Sequence, residues 1–186
     1  MELMQAIQGR RSVRAFQAKP VGRDAIDRIV RAAALAPSAM NEQPWTFTIV
    51  TNKALLSEIS RNAKASLLVE SATESHIDHV REMLSDPKFD IFYGAPALIV
   101  ISATRHSQWA VEDCALAAEN LMLAALAEGL GTCWIGFAQS WLGTAEGHSA
   151  LGLDDALLPV APIIVGLPKE TAAAVPRRPP NARWIE

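Results

Sequence analysis

Between Trp109 and Glu128 the chain reads WAVEDCALAAENLMLAALAE. Val111, Cys114, Ala115, Ala118, Leu121, Met122 and Ala125 recur at helical spacing and form one stripe. Leu116, Leu123 and Leu126 make much of the opposite side apolar as well. A helix apolar nearly all round must be covered on several sides. In a chain of 186 residues, one source of that cover is a second subunit. Glu119 and Asn120 interrupt the run, and no stretch reaches the roughly 18 apolar residues that would span a membrane.

The flanking segments supply layers to pack around this helix. Residues 2–9 read as a short helix stopped by Gly9. A second helix is expected from about Arg23 to Leu35, with Ile26, Ile29, Val30, Ala33 and Ala34 on its buried face. APSAMNEQP breaks it. Trp45 to Thr51 alternates as a strand does, and a helix follows over about Lys53 to Lys64. Residues 65–90 mix helix-like stretches with SDPKFD and are expected to make a mobile excursion over the core. Ala95 to Ser102 is a continuous apolar run, expected as a buried strand. TCWIGF and VAPIIVG are two more strand-like runs. Helix, helix, strand, helix, strand, helix, strand, strand describes a layered α/β or α+β domain, and the length fits one domain over 1–186.

From Pro168 onward prolines forbid a continuous helix and favour an extended arm. The arm ends on Trp184 and Ile185. A disordered tail would leave both in water; an arm docked on its own core or on a partner subunit would not, and we prefer that reading.

A net charge of −3 argues against nucleic acid as the partner. The N-terminus lacks the apolar core of a signal peptide, so the expected location is cytoplasmic. The two cysteines, Cys114 and Cys133, are expected as buried thiols in a reducing compartment. His76 and His79 share a helical spacing, but no further ligands accompany them and no metal site is expected. Gly129 or Gly131 suits a helix C-cap. The order helix–glycine–strand in GLGTCWIG is the reverse of a dinucleotide loop. Gly136, inside a strand-like run, marks either a bulge or the close approach of a ligand.

Against this acidic background stands GRRSVR. Arg10 and Arg14 are four apart and would share a face on a helical turn. Guanidinium groups recognise phosphate bidentately, and Ser12 can donate a hydroxyl. Arg177 and Arg178 form a second cluster. Together they point to a small phosphorylated ligand.

GRRSVRAF, RAAALAPSAMNEQPWTFTIV, YGAPALIVI, DCALAAENLMLAALAEGLGTCWIG, PIIVGLPKE and PRRPP, in this order, resemble the FMN-dependent nitroreductase-like flavoproteins. The resemblance implies an α+β, three-layer fold with a central, mostly antiparallel sheet flanked by helices. It implies a homodimer with FMN at the interface, no membrane or nucleic-acid partner, and a C-terminal arm exchanged between subunits. Arg10 and Ser12 would contact the phosphate and ribityl chain, with Arg11 adjacent. Arg14 would be the cation at the pyrimidine end, where fixed positive charge raises the flavin potential. Pro37, Ser38, Ala39, Met40 and Asn41 would come from the other subunit, with Gln43 close by. Backbone N–H groups around Trp134, Ile135 and Gly136 would face flavin N5 and O4. Arg178, with Arg177, would close on the phosphate. A second basic residue and an asparagine that some members carry before the middle strand have no clear counterpart in PKFDIFYGAP. The implied reaction is ping-pong hydride transfer from NADH or NADPH to flavin N5 and on to a nitroaromatic, a quinone or an activated alkene, with no catalytic side chain. The alternatives are ring cleavage with oxygen, reductive dehalogenation, or a non-catalytic flavin or phosphate-ligand binder.

Overall fold

The structure is a computed structural model that describes residues 1–70, 78–104 and 108–186. Helices α1 (Leu3–Gly9) and α2 (Arg23–Ala33) precede strand β1 (Trp45–Val50). Then come α3 (Lys53–Glu70), α4 (Asp78–Ser85), β2 (Ala97–Thr104) and α5 (Ala110–Ala127). The chain continues through β3 (Gly131–Trp134), α6 (Gly136–Leu142), α7 (Ala145–Leu151) and β4 (Leu157–Gly166). Among the described residues no helix is long and apolar enough to cross a membrane.

The sheet runs β1-β2-β4-β3, and every neighbouring pair is antiparallel. Its central strands are buried on both faces, which is why β2 and β4 read as unbroken apolar runs. Alternation divides them. Ile99, Ile101, Ala103, Ala161, Ile163 and Val165 point into one core with α2 and α5. Leu98, Val100, Cys133 and Ile164 point into the other with α3, α4, α6 and α7. Continuous hydrophobicity here reflects helices on both faces of an antiparallel sheet, and the fold is α+β in three layers, as the resemblance implies.

Several local expectations change. TCWIGF is a strand only as far as Trp134. Gly136 opens α6, and α6 and α7 occupy residues not recognised as helical. α3 runs on to Glu70, and α4 buries Leu84 in the second core. His76 and the side chain of His79 lie outside the described residues. Gly129, at φ 75°, ends α5: its N–H donates to Leu126 O and the Leu130 N–H to Ala125 O, a Schellman arrangement. Gly131 has a different reason to be glycine, because a Cβ there would lie 2.8 Å from Val13 Cγ2.

Residues 10–17 run extended beside β3. Ser12 bridges Thr132 in parallel, and the Val13 N–H donates to Thr132 O at 2.9 Å. Phe16 then bridges Pro168 in antiparallel sense. Beyond that point the arm carries no regular structure and leaves its own core. Trp184 is 86% exposed and Ile185 is equally bare, so docking on the chain's own core is ruled out.

Candidate functional site

Arg10 follows the end of α1 in an extended conformation, with φ −59° and ψ 132°. Arg10, Ser12 and Arg14 therefore share a side through the two-residue period of extended chain, and not through a helical turn. The intervening Val13 is buried against Gly131. Arg11 also faces elsewhere. Its Nη1 donates to the carbonyls of Gln8 and Arg10, capping the end of α1.

Cys133, beneath the strip, registers all three residues. Burial pushes its thiol up, while Arg14, hydrogen bonding with Ser12, and Arg10 pull it back down. The strip thus forms one polar, cationic face. Arg10 Nε donates to Glu119 Oε1 of α5 at 3.1 Å. Arg14 is exposed and has no carboxylate partner among the described residues; its Cζ lies 5.9 Å from the Tyr93 ring centroid.

The second element of the predicted site is the loop from Pro37 to Gln43. Met40, Asn41 and Gln43 have φ of 51°, 57° and 48°, the left-handed region that side chains disfavour. Two anchors impose this shape. The buried Asp113 of α5 accepts the Ala39 N–H at 3.1 and 3.3 Å, and Ser38 Oγ accepts the Gln43 N–H at 2.9 Å. Met40 at the tip is 92% exposed. Strain held in place by buried partners and presented to solvent is a pattern found at ligand clamps and interfaces.

Trp134 is half-buried. The Ile135 N–H already donates to Pro162 O at 2.8 Å, which removes it as a donor to a ligand. Gly136 is exposed, and a Cβ there would meet nothing within 4 Å. Arg177 and Arg178 stand exposed in the arm, with no hydrogen bond or ion pair to the strip among the described residues. The fold therefore brings Arg10, Ser12 and Arg14 together and fixes the loop 37–43, but leaves the arm arginines apart from both within one chain.

A cavity of about 360 Å³ opens beside Arg10 and Arg11, walled by Met122, Thr132 and Lys169. A larger one of about 720 Å³ lies by the outer strand β1, and none of the predicted site residues lines it.

The nitroreductase family model matches residues 7–167, which include the strip, the strained loop and the turn at Gly136. The chain belongs to the nitroreductase family. A Bacteroides fragilis nitroreductase with bound FMN superimposes with a TM-score of 0.82 and 30% identity, covering 100% of this chain and 98% of that one. Bacillus subtilis FMN reductase [NAD(P)H] is 26% identical over 189 residues, 97% of this chain and 72% of that protein. Rhodospirillum rubrum 5,6-dimethylbenzimidazole synthase is 28% identical over 181 residues, 88% of this nitroreductase-family chain and 80% of the synthase.

Proposed function

We propose that this protein is an FMN-dependent oxidoreductase that works as a homodimer and passes hydride from NADH or NADPH to a small acceptor: a nitroaromatic, a quinone or an activated alkene. The observation that carries the reading is the single cationic face made by Arg10, Ser12 and Arg14. When bound, FMN would supply the hydride chemistry, accepting from the nicotinamide and donating to the acceptor in turn. The chain binds, orients and tunes.

Two features of this chain fit that group. An anion needs cationic donors that are still open: among the described residues Arg10 gives only its Nε to Glu119, which leaves its Nη groups, and Arg14 has no carboxylate partner. Gly136 is glycine although neither its backbone nor any neighbour in the chain requires it, which fits the close approach of something outside the chain. Arg10 and Ser12 would hold the phosphate and ribityl chain, and Arg14 would face the pyrimidine end and raise the potential. Pro37 to Asn41 and Gln43 would reach in from the partner, and Arg177 or Arg178 would arrive on the partner's arm. A second copy is supported by exposed apolar residues on α1 (Leu3, Met4, Ile7) and on α5 (Val111, Leu116).

The test is the visible spectrum of the purified protein, before and after NADH or NADPH is added without air. Flavin bands that bleach are the expected result. A colourless protein that cannot be reconstituted with FMN would overturn the proposal. The likeness to 5,6-dimethylbenzimidazole synthase supports a second reading, in which the same bound group serves other chemistry. Flavin bands that persist with both nicotinamides would favour it.

A further inference from the structure

Tyr93 is the chain's single tyrosine. Its backbone sits at φ 53° and that of Gly94 at φ 69°. A bulky aromatic residue takes up this left-handed conformation only where its surroundings impose it. Here Asp90 imposes it. Its carboxylate accepts from Ser60 Oγ at 2.7 Å and from the N–H groups of Phe92 and Gly94, both at 2.9 Å. Ile91 and Phe92, both buried in the core, pin the turn from below.

Two left-handed residues in succession turn the chain back and hold the half-buried phenol ring at the edge of the second core. Phe89 meets it edge-on, with centroids 5.6 Å apart and planes at 79°. Arg14 Cζ lies over the ring, 5.9 Å from its centroid. The two groups interact electrically as well. Burial pushes the Tyr93 phenol up, and Arg14 pulls it back by its charge and by hydrogen bonding. An exposed arginine otherwise spreads over many rotamers, and water screens its charge.

We propose that Tyr93 is a positioning residue for Arg14: the turn that Asp90 ties down presents the ring to the guanidinium and fixes the cation on the ligand-facing side of the strip. This inference rests on the FMN reading above. A fixed cation biases the flavin more than one free to swing into solvent.

Two measurements test it. The first needs no flavin. Because the chain has one tyrosine, tyrosinate absorbance in the ultraviolet reports Tyr93 alone. In cofactor-free protein, Arg14→Ala should make Tyr93 titrate at higher pH, since the cation that favours the phenolate is gone. An unchanged titration would overturn the contact.

The second uses the FMN-loaded protein equilibrated with a reference dye under argon. Tyr93→Leu should shift the flavin potential downward, in the direction of Arg14→Ala, and lose about two- to fivefold in FMN affinity. Tyr93→Phe, which keeps the ring, should shift it less. In the Arg14→Ala background, Tyr93→Leu should add nothing further. A Tyr93→Leu potential equal to wild type, or shifts that simply add, would overturn the proposal. A protein that takes up no FMN would sink the function proposed above, while the tyrosine titration would still decide the contact.

Discussion

Arg10 and Arg14 carry the same charge in different surroundings, and their loss should be felt differently. Arg10 is half-buried and held by Glu119 through its Nε, a fixed setting that fits the anion contact proposed for it. Arg10→Ala should weaken FMN binding about 10- to 100-fold, the value of a charge-assisted hydrogen-bond pair. Titration followed by flavin fluorescence would measure it. Arg14→Ala should keep more FMN and lower the potential; equal FMN loss in both variants with an unchanged potential would remove the role given to Arg14. Two glycines make a similar contrast. Gly131→Ala drives a methyl into Val13 and should cost about 1–3 kcal/mol, read as a lower Tm. Gly136→Ala meets no atom, so stability without cofactor should stay within about 0.5 kcal/mol of wild type. Its FMN affinity should fall. Unchanged affinity would mean that the glycine serves no ligand.

α5 anchors both elements of the proposed site that this chain carries. Asp113 holds the strained loop and Glu119 holds the strip, both from one helix. Asp113→Ala would orphan the Ala39 N–H and release three left-handed residues. A stability loss of about 1–3 kcal/mol in urea unfolding is expected, together with weaker FMN binding. An unaltered unfolding midpoint would show that the loop needs no anchor. Cys114 on the same helix gives a pH signature. Burial first and Asp113 second push its thiol from 9.0 up to about 12. The unfolded chain then releases this proton before the folded one does. The stability it supports is complete below pH 9.0 and is lost as pH rises toward about 12, at up to about 1.4 kcal/mol per pH unit. Cys114→Ala should flatten the alkaline fall in Tm relative to wild type. Parallel curves would contradict it.

At the scale of the molecule, the proposed role of the arm is to join two copies of the chain. It leaves its own core with Trp184 and Ile185 in solvent, while Lys169 is still tied to Ala15 O at 2.9 Å. A chain ending after Glu170 should therefore keep its fold. If the arm crosses to a partner, the truncated chain should sediment as a monomer at concentrations where the full chain is a dimer. It should also lose FMN with Arg177 and Arg178. A truncated chain that stays dimeric and yellow would show that the arm serves neither purpose.

The periodicities alone determined the layers. Apolar spacing set α2, α5, β1, β2 and β4, because burial on one face or two imprints the period of the element on the sequence. The motif order determined the family. The tertiary structure decided what depends on partners distant in sequence. That RRSVR is extended, and that Arg11 departs from Arg10, Ser12 and Arg14, follows from pairing with Thr132, far along the chain. That Gly136 begins a helix is set where the pairing with β4 ends, at the Ile135 N–H bonded to Pro162 O. The Asp90 turn that lifts Tyr93 toward Arg14 takes two of its donors locally, from Phe92 and Gly94, but its third, Ser60 on α3, and the Arg14 it faces come from distant parts of the chain, so only the packed fold brings them together.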